Sequence, residues 1–261
     1  MKIEDVLFIV GFLLILFVLI PIGNMLYSQL FDIQDLVVAF KDRSVIKAIA
    51  ITLIATTVST VIALIFGVPL AYSLARREFL FKSVIESIVD TPLVLPHIVA
   101  GIALYGVLMK NGIIGAPLEK IGVLFIDAFP GIVAAMLFVS FPFLVDTAKE
   151  GFRKVDKRVE NVARSLGASE IEVFREVSLP LASNSIFAGA IQCWARGIGE
   201  FAAIMVVATF PTSATILIGD RFTTYGLSGV GNIAGARAIS ILLMFISLTV
   251  FVILRRLERV V

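Results

Sequence analysis

The chain has 261 residues, 59% of them hydrophobic and only 16% charged, where soluble domains carry about a quarter charged residues. Apolar residues arrive in blocks too long for a soluble core, which excludes an ordinary soluble enzyme or binding module and predicts a multi-pass membrane protein. The 22 basic and 20 acidic residues provide no charged tail for nucleic acid, and the single cysteine, Cys193, allows no internal disulfide.

Uncharged windows predict six membrane-spanning helices, and hence an all-α polytopic fold in one transmembrane domain over 1–261. The first covers 6–27; Met1-Lys2 precedes it without an A-x-A cleavage pattern, so it reads as a retained span and not as a signal peptide. The second, 48–75, is free of charge and long enough to cross with tilt. The third, 91–109, has Pro92 and Pro96 near its start. The fourth covers 128–145, the fifth 185–210 and the sixth 238–254. With six spans both termini share a side. That side holds Lys2, Arg76, Arg77, Lys82, the basic residues from Lys149 to Arg175, and Arg255, Arg256 and Arg259, about twice the basic charge opposite. The termini and the 150–182 loop are therefore expected in the cytoplasm.

That loop is densely charged, and a two-helix knob is predicted for it. Val155, Val159, Val162 and Leu166 recur at helical spacing and make an apolar stripe. Asp156 is placed to begin the first helix, and Gly167 to end it in a left-handed cap. Ser169, with Glu172 three residues on, predicts a capping box for the second helix. Ile171 and Phe174 are its expected apolar face and Pro180 its end. Without further information the loop could equally lie on the membrane as an amphipathic surface segment.

The run Glu160, Asn161, Val162, Ala163, Gly167, Ser169, Val177, Leu179, Pro180 resembles the cytoplasmic coupling loop of ABC-transporter permeases, written E-A-A-x3-G-x9-I-x-L-P. Ala163, Gly167, Leu179 and Pro180 fall in register. Asn161 stands where the pattern has Glu, with Glu160 one place earlier, and Val162 and Val177 replace Ala and Ile. The resemblance implies that this loop is gripped by an ATP-hydrolysing partner, which would bind the ATP and Mg. The chain itself has no Gly-Lys pair and so no G-x-x-x-x-G-K-[ST] phosphate loop. No catalytic, metal or cofactor constellation is predicted, and His97, after Pro96, reads as a helix-end or packing residue.

Arg196 and Glu200 sit in the fifth span, where ionisable groups are costly unless paired or facing a cavity. Their i, i+4 spacing predicts an internal ion pair on one helix face, with Gly197 and Gly199 allowing close helix approach. An arginine that meets an anion in the pathway, oriented by Glu200, is the other reading. The segment Ala195-Arg196-Gly197-Ile198-Gly199-Glu200-Phe201 resembles A-R-x-x-G-E-[FY] of the sulfate and molybdate permeases. Taken with the loop, the chain is most similar to type I permease subunits for molybdate and tungstate. That resemblance implies two copies of this chain, two ATPase subunits, an external binding protein, and a prokaryotic plasma membrane. Sulfate, thiosulfate and phosphate permeases are the alternative. An ion-coupled secondary transporter would call for inverted repeats and several intramembrane ionisable residues, where only Arg196 and Glu200 qualify. The Thr-, Ser- and Gly-rich stretch 209–235 is expected to be external, either re-entrant or a plain loop.

Overall fold

The computed structural model describes residues 3–226 and 233–258, and these form helices and connecting turns with no strand among them. In chain order the elements are α1 (Ile3–Phe31), α2 (Ile33–Lys41), α3 (Arg43–Arg76), α4 (Lys82–Val94), α5 (His97–Leu108), α6 (Gly115–Glu119) and α7 (Phe129–Lys154). Then come α8 (Lys157–Ser165), α9 (Glu170–Glu172), a π-helical turn (Val173–Ser178), α10 (Leu179–Leu181), α11 (Ser183–Ile198), α12 (Ala202–Val207), α13 (Ala214–Gly226) and α14 (Ile233–Glu258). Among the described residues α1, α3, α7 and α14 are each long and apolar enough to cross a membrane.

Two predicted spans are not continuous helices. The third divides into α4 and α5, which meet at an angle of 115°. Pro96 explains the break: its ring disfavours helical geometry at Leu95, whose backbone is extended. The fifth divides into α11 and α12, with residues 199–201 outside either helix. Gly199 weakens the helix at that point, and Glu200 turns its carboxylate onto the next segment instead of continuing the turn. Within 209–235 lies the helix α13, and the glycines at 229 and 231 fall outside the described residues, as do Lys2 and Arg259.

The chain forms two compact units, Met1–Lys47 with Leu217–Phe245 and Ala48–Ile216 with Ile246–Val261. In the first, the Arg237 guanidinium donates from Nε to Gln29 Oε1 at 3.0 Å and pairs with Asp32. Arg221 lies 3.0 Å from Asp42, whose carboxylate also accepts the Ser44 amide at 2.8 Å. The α1 side chains from Phe8 to Ile20 are exposed on every side, and a helix apolar all round needs lipid or other helices to cover it.

In the second unit α7 is the central helix. It packs along α11 where Gly151 and Gly189 remove side chains: a Cβ on Gly151 would stand 2.3 Å from Ser185 Cβ. Gly197 is also a close-approach position, but inside this chain. Its Cβ would meet Thr56 Oγ1 of α3 at 2.5 Å, whereas Gly199 has open space. Thr56 donates to the Trp194 carbonyl at 2.9 Å, and Trp194 Nε1 donates to Thr57 at 3.1 Å. These hydroxyls join α3 to α11 and leave neither polar group unmet in the apolar interior.

Candidate functional site: the 150–182 loop and the joint of two broken helices

The loop starts where α7 ends at Val155 and turns into α8. Asp156 caps α8 by accepting the Arg158 amide at 2.8 Å. At the other end Gly167 has a φ of +97°, the left-handed region that a Cβ penalises. The Gly167 amide bonds to the Arg164 carbonyl and the Ala168 amide to the Ala163 carbonyl, the two crossed bonds of a Schellman cap. Ser169 then accepts the Glu172 amide while Glu172 accepts the Ser169 amide at 2.6 Å, a complete capping box. Pro180 does not close the second helix. The π-helical turn ends at Ser178, and the proline falls in the first turn of α10, where its missing N–H is tolerated; α10 then leads through a turn at Ala182 into α11.

Two faces of the loop differ sharply. Outward, Val159, Val162, Leu166 and Ile171 are exposed, Leu166 to 84%. Inward, Val155 is buried and Phe174 packs with Tyr72 and Phe152, ring centroids 4.8 and 6.2 Å away. The predicted stripe therefore splits, its first residue forming part of the loop's root. Leu179 packs against the same apolar cluster. Asn161 is exposed and accepts from Arg164, Val177 is half-buried, and Pro180 is exposed.

Glu160 faces inward, its side chain only 2% exposed. Arg76, the last residue of α3, approaches its Oε1 with Nε at 2.9 Å and Nη2 at 2.8 Å, and Nη2 also donates to the Val155 carbonyl. The Ser178 hydroxyl donates to the same Glu160 oxygen at 2.6 Å. One buried carboxylate thus ties α3, α8 and the π-helical turn together. Nothing in the spacing singled out Arg76 or Ser178; the only sign was an arginine ending a long charge-free run.

On the surface Arg164 bonds to Glu170 through Nε at 2.8 Å and Nη2 at 3.0 Å. That guanidinium holds the Glu170 carboxyl below its usual range, and the Ser169 amide and hydroxyl do the same for Glu172. Both carboxyls have lowered values in the folded loop. Their contributions are complete above the ordinary carboxylate range and go as pH falls through those lowered values.

The second group of predicted residues meets at the helix breaks. Arg196 lies in the last turn of α11, and Glu200 is beyond its end. Their side chains still touch, Arg196 Nη2 to Glu200 Oε2 at 3.2 Å. The other Glu200 oxygen accepts the Ala203 amide at 2.9 Å, so the carboxylate fastens the start of α12. His97, the first residue of α5, joins them: its Nδ1 is 2.6 Å from Glu200 Oε2, and Arg196 Nη2 is 2.7 Å from both ring nitrogens. With Nδ1 donating to the carboxylate the imidazole spends a ring N–H on Glu200, and the guanidinium nitrogen lies against the ring, equally near both of its nitrogens. His97 is thus part of a charged cluster across two breaks and not merely a packing residue. Its place directly after Pro96 was the one available signal.

Residues 63–261 match the model of a family described as binding-protein-dependent transport system inner membrane component. The chain belongs to this family. It is a multi-pass membrane protein and a translocation component of such a system. It is 43% identical over 245 residues to a molybdate/tungstate transport system permease protein of Pyrococcus abyssi, covering 94% of this chain and 91% of the relative. A sulfate transport system permease protein of Salmonella typhimurium is 29% identical over 229 residues, covering 86% and 80%. A bacterial ABC transporter that imports the acidic polysaccharide alginate has the same fold. Its TM-score is 0.69 at 16% identity, over 87% of this chain and 83% of that one.

Proposed function

We propose that the chain is the permease subunit of an ATP-driven importer of molybdate and tungstate, working by alternating access. It acts as a single permease domain with six crossings, of which the bent α4–α5 pair and the broken α11–α12 pair are two. Two copies form the pathway, two ATPase subunits engage the 150–182 loops from the cytoplasm, where both termini also lie, and a binding protein delivers the anion outside. The assembly belongs in a prokaryotic plasma membrane. The cargo reading rests on the likeness to the Pyrococcus abyssi permease, which exceeds the likeness to the sulfate permease.

The observation that carries the coupling role is the loop's two-sided build. Its apolar residues on α8 and at Ile171 point away from the chain, while Glu160 and Phe174 root it in α3 and α7. An exposed row of Val159, Val162 and Leu166 suits an apolar groove on a partner. Gly167 sets the angle between the two halves. Gly167→Val is expected to cost about 1–2 kcal/mol locally through its left-handed backbone and to uncouple the transporter. In proteoliposomes with the ATPase and the loaded binding protein, ATP hydrolysis should persist while tungstate uptake per ATP drops. Normal uptake per ATP by this variant would remove the bend from the mechanism.

Stoichiometry provides a separate check. The intact complex in detergent, weighed by light scattering or native mass spectrometry, should contain two copies of this chain and two ATPases. One copy, or one copy beside a different permease, would be incompatible with the pathway proposed.

A further inference from the structure

The cluster at the two helix breaks has a half-open side that its internal bonds do not use. Glu200 is 1% exposed and spends both oxygens inside the chain, on the Ala203 amide, on His97 and on Arg196. Arg196 spends only Nη2; neither Nη1 nor Nε has a partner among the described residues, and 26% of the side chain is exposed. The imidazole of His97 is 35% exposed. An arginine at this depth cannot turn free N–H groups toward hydrocarbon. Its open side therefore looks onto water or onto another protein surface. Across 48–75, 97–108, 129–145 and 183–207 no other Lys, Arg or His occurs. Within these four helical stretches Arg196 is thus the one permanent cation, with one imidazole beside it.

We propose that Arg196 forms a transient binding site for a tetrahedral oxyanion on the translocation path, with Glu200 and His97 as the posts that aim the guanidinium. This rests on the oxyanion-importer reading above and adds the residue that touches the cargo. The chemistry is that of directed guanidinium N–H donors: Nη1 and Nε, fixed in the plane of a permanent cation, are each free for an oxyanion oxygen. Glu200 has a second consequence. It cancels the arginine's charge, so the cluster carries no net positive charge with a neutral imidazole, and it attracts a dianion through directed donors without trapping it. A site on a path must bind weakly enough to release.

The test uses the complete transporter with its ATPase and binding protein in proteoliposomes, and tungstate as the probe. Arg196→Lys keeps the charge and loses the fixed Nη1 and Nε donors; the paired change Arg196→Met with Glu200→Gln removes both charges together. Both are expected to assemble and to keep ATP hydrolysis stimulated by loaded binding protein. Tungstate uptake should fall about tenfold or more, the effect of losing a charge-assisted contact. Uptake restored close to wild type by the paired change would overturn the site and reduce the cluster to an internal pair. Should the paired variant fail to assemble, phenylglyoxal modification of Arg196 in the wild-type complex, followed by peptide mass, decides. Tungstate should slow it where equimolar chloride does not, and equal rates would overturn the proposal. A wild-type complex that imports neither molybdate nor tungstate would defeat the cargo assignment instead. The labelling experiment, run with sulfate and phosphate, would then still decide the site.

Discussion

Glu160→Ala is expected to destabilise the loop's attachment by about 3–5 kcal/mol, because it removes one member of a buried ion pair and strands the other. Arg76 would keep its bond to the Val155 carbonyl but lose both contacts to the carboxylate, and the Ser178 hydroxyl would be left with the longer bond to the Val173 carbonyl, at 3.3 Å. The Arg76 side chain is only 9% exposed, so water cannot readily replace the missing oxygens. Proteolysis within 156–182 should speed up, and the purified protein should melt earlier. Glu160→Gln keeps an acceptor oxygen and should fall between Ala and wild type. The paired change Arg76→Met with Glu160→Met should recover most of the loss, since apolar replacement of a whole buried pair is often close to neutral. The paired variant then separates stability from mechanics. If the joint transmits loop motion into α3, uptake per ATP stays low although melting is restored. Unchanged melting and proteolysis in Glu160→Ala would show that the contact contributes nothing.

What could be read from the sequence follows the range of the interactions concerned. The Asp156 and Ser169 caps and the left-handed Gly167 are decided within five residues, by short polar side chains near exposed amides and by the absence of a Cβ. Their chemistry was plain in the sequence, and the structure has all three. The division of the apolar stripe was not plain. Val155 and Val159 have the same character, and only the position of α3 and α7 buries the first while exposing the second. Pro96 was read only as lying near the start of a span and Gly199 only as allowing close helix approach; helical periodicity passes through both positions, and a hydropathy window cannot register a bend of 115°. Pro180 shows the opposite error: a residue that usually ends a helix is accommodated in the first turn of α10, directly after the π-helical turn. The Arg196–Glu200 contact was predicted from i, i+4 spacing along one helix. It occurs with Glu200 outside the helix, held by Ala203 and by a histidine 103 positions away, a partner no local pattern could supply.

The meeting of α5 and α12 beside that cluster depends on a single missing methyl group. At Gly101 a Cβ would stand 2.9 Å from Val206 Cβ, 3.0 Å from Ala203 Cα and 3.1 Å from the Ala203 carbonyl oxygen. None of these atoms is the end of a flexible side chain, so relief requires the two helices to separate. Gly101→Ala is expected to cost about 1–3 kcal/mol, as overpacking does in a dense interior, and Gly101→Val should cost more. Gly106 is on the same helix with nothing within 4 Å of its would-be Cβ. Gly106→Ala should therefore be neutral or slightly stabilising, since alanine suits a helix better than glycine by up to about 1 kcal/mol. Val206→Ala provides a sharper control: it leaves Val206 Cβ in place and so should not rescue Gly101→Val, whatever volume it frees. Melting of the purified protein gives the order Gly106→Ala, Gly101→Ala, Gly101→Val from least to most destabilised. The displacement also acts on chemistry, because Ala203 is the residue whose amide fixes Glu200. Pushing α12 away from α5 draws that carboxylate from His97 and frees Arg196 from its post. Gly101→Ala should therefore lower tungstate uptake by more than its melting shift alone accounts for. If uptake and melting fell strictly in proportion, the packing of α5 on α12 would be support only, with no part in aiming the arginine.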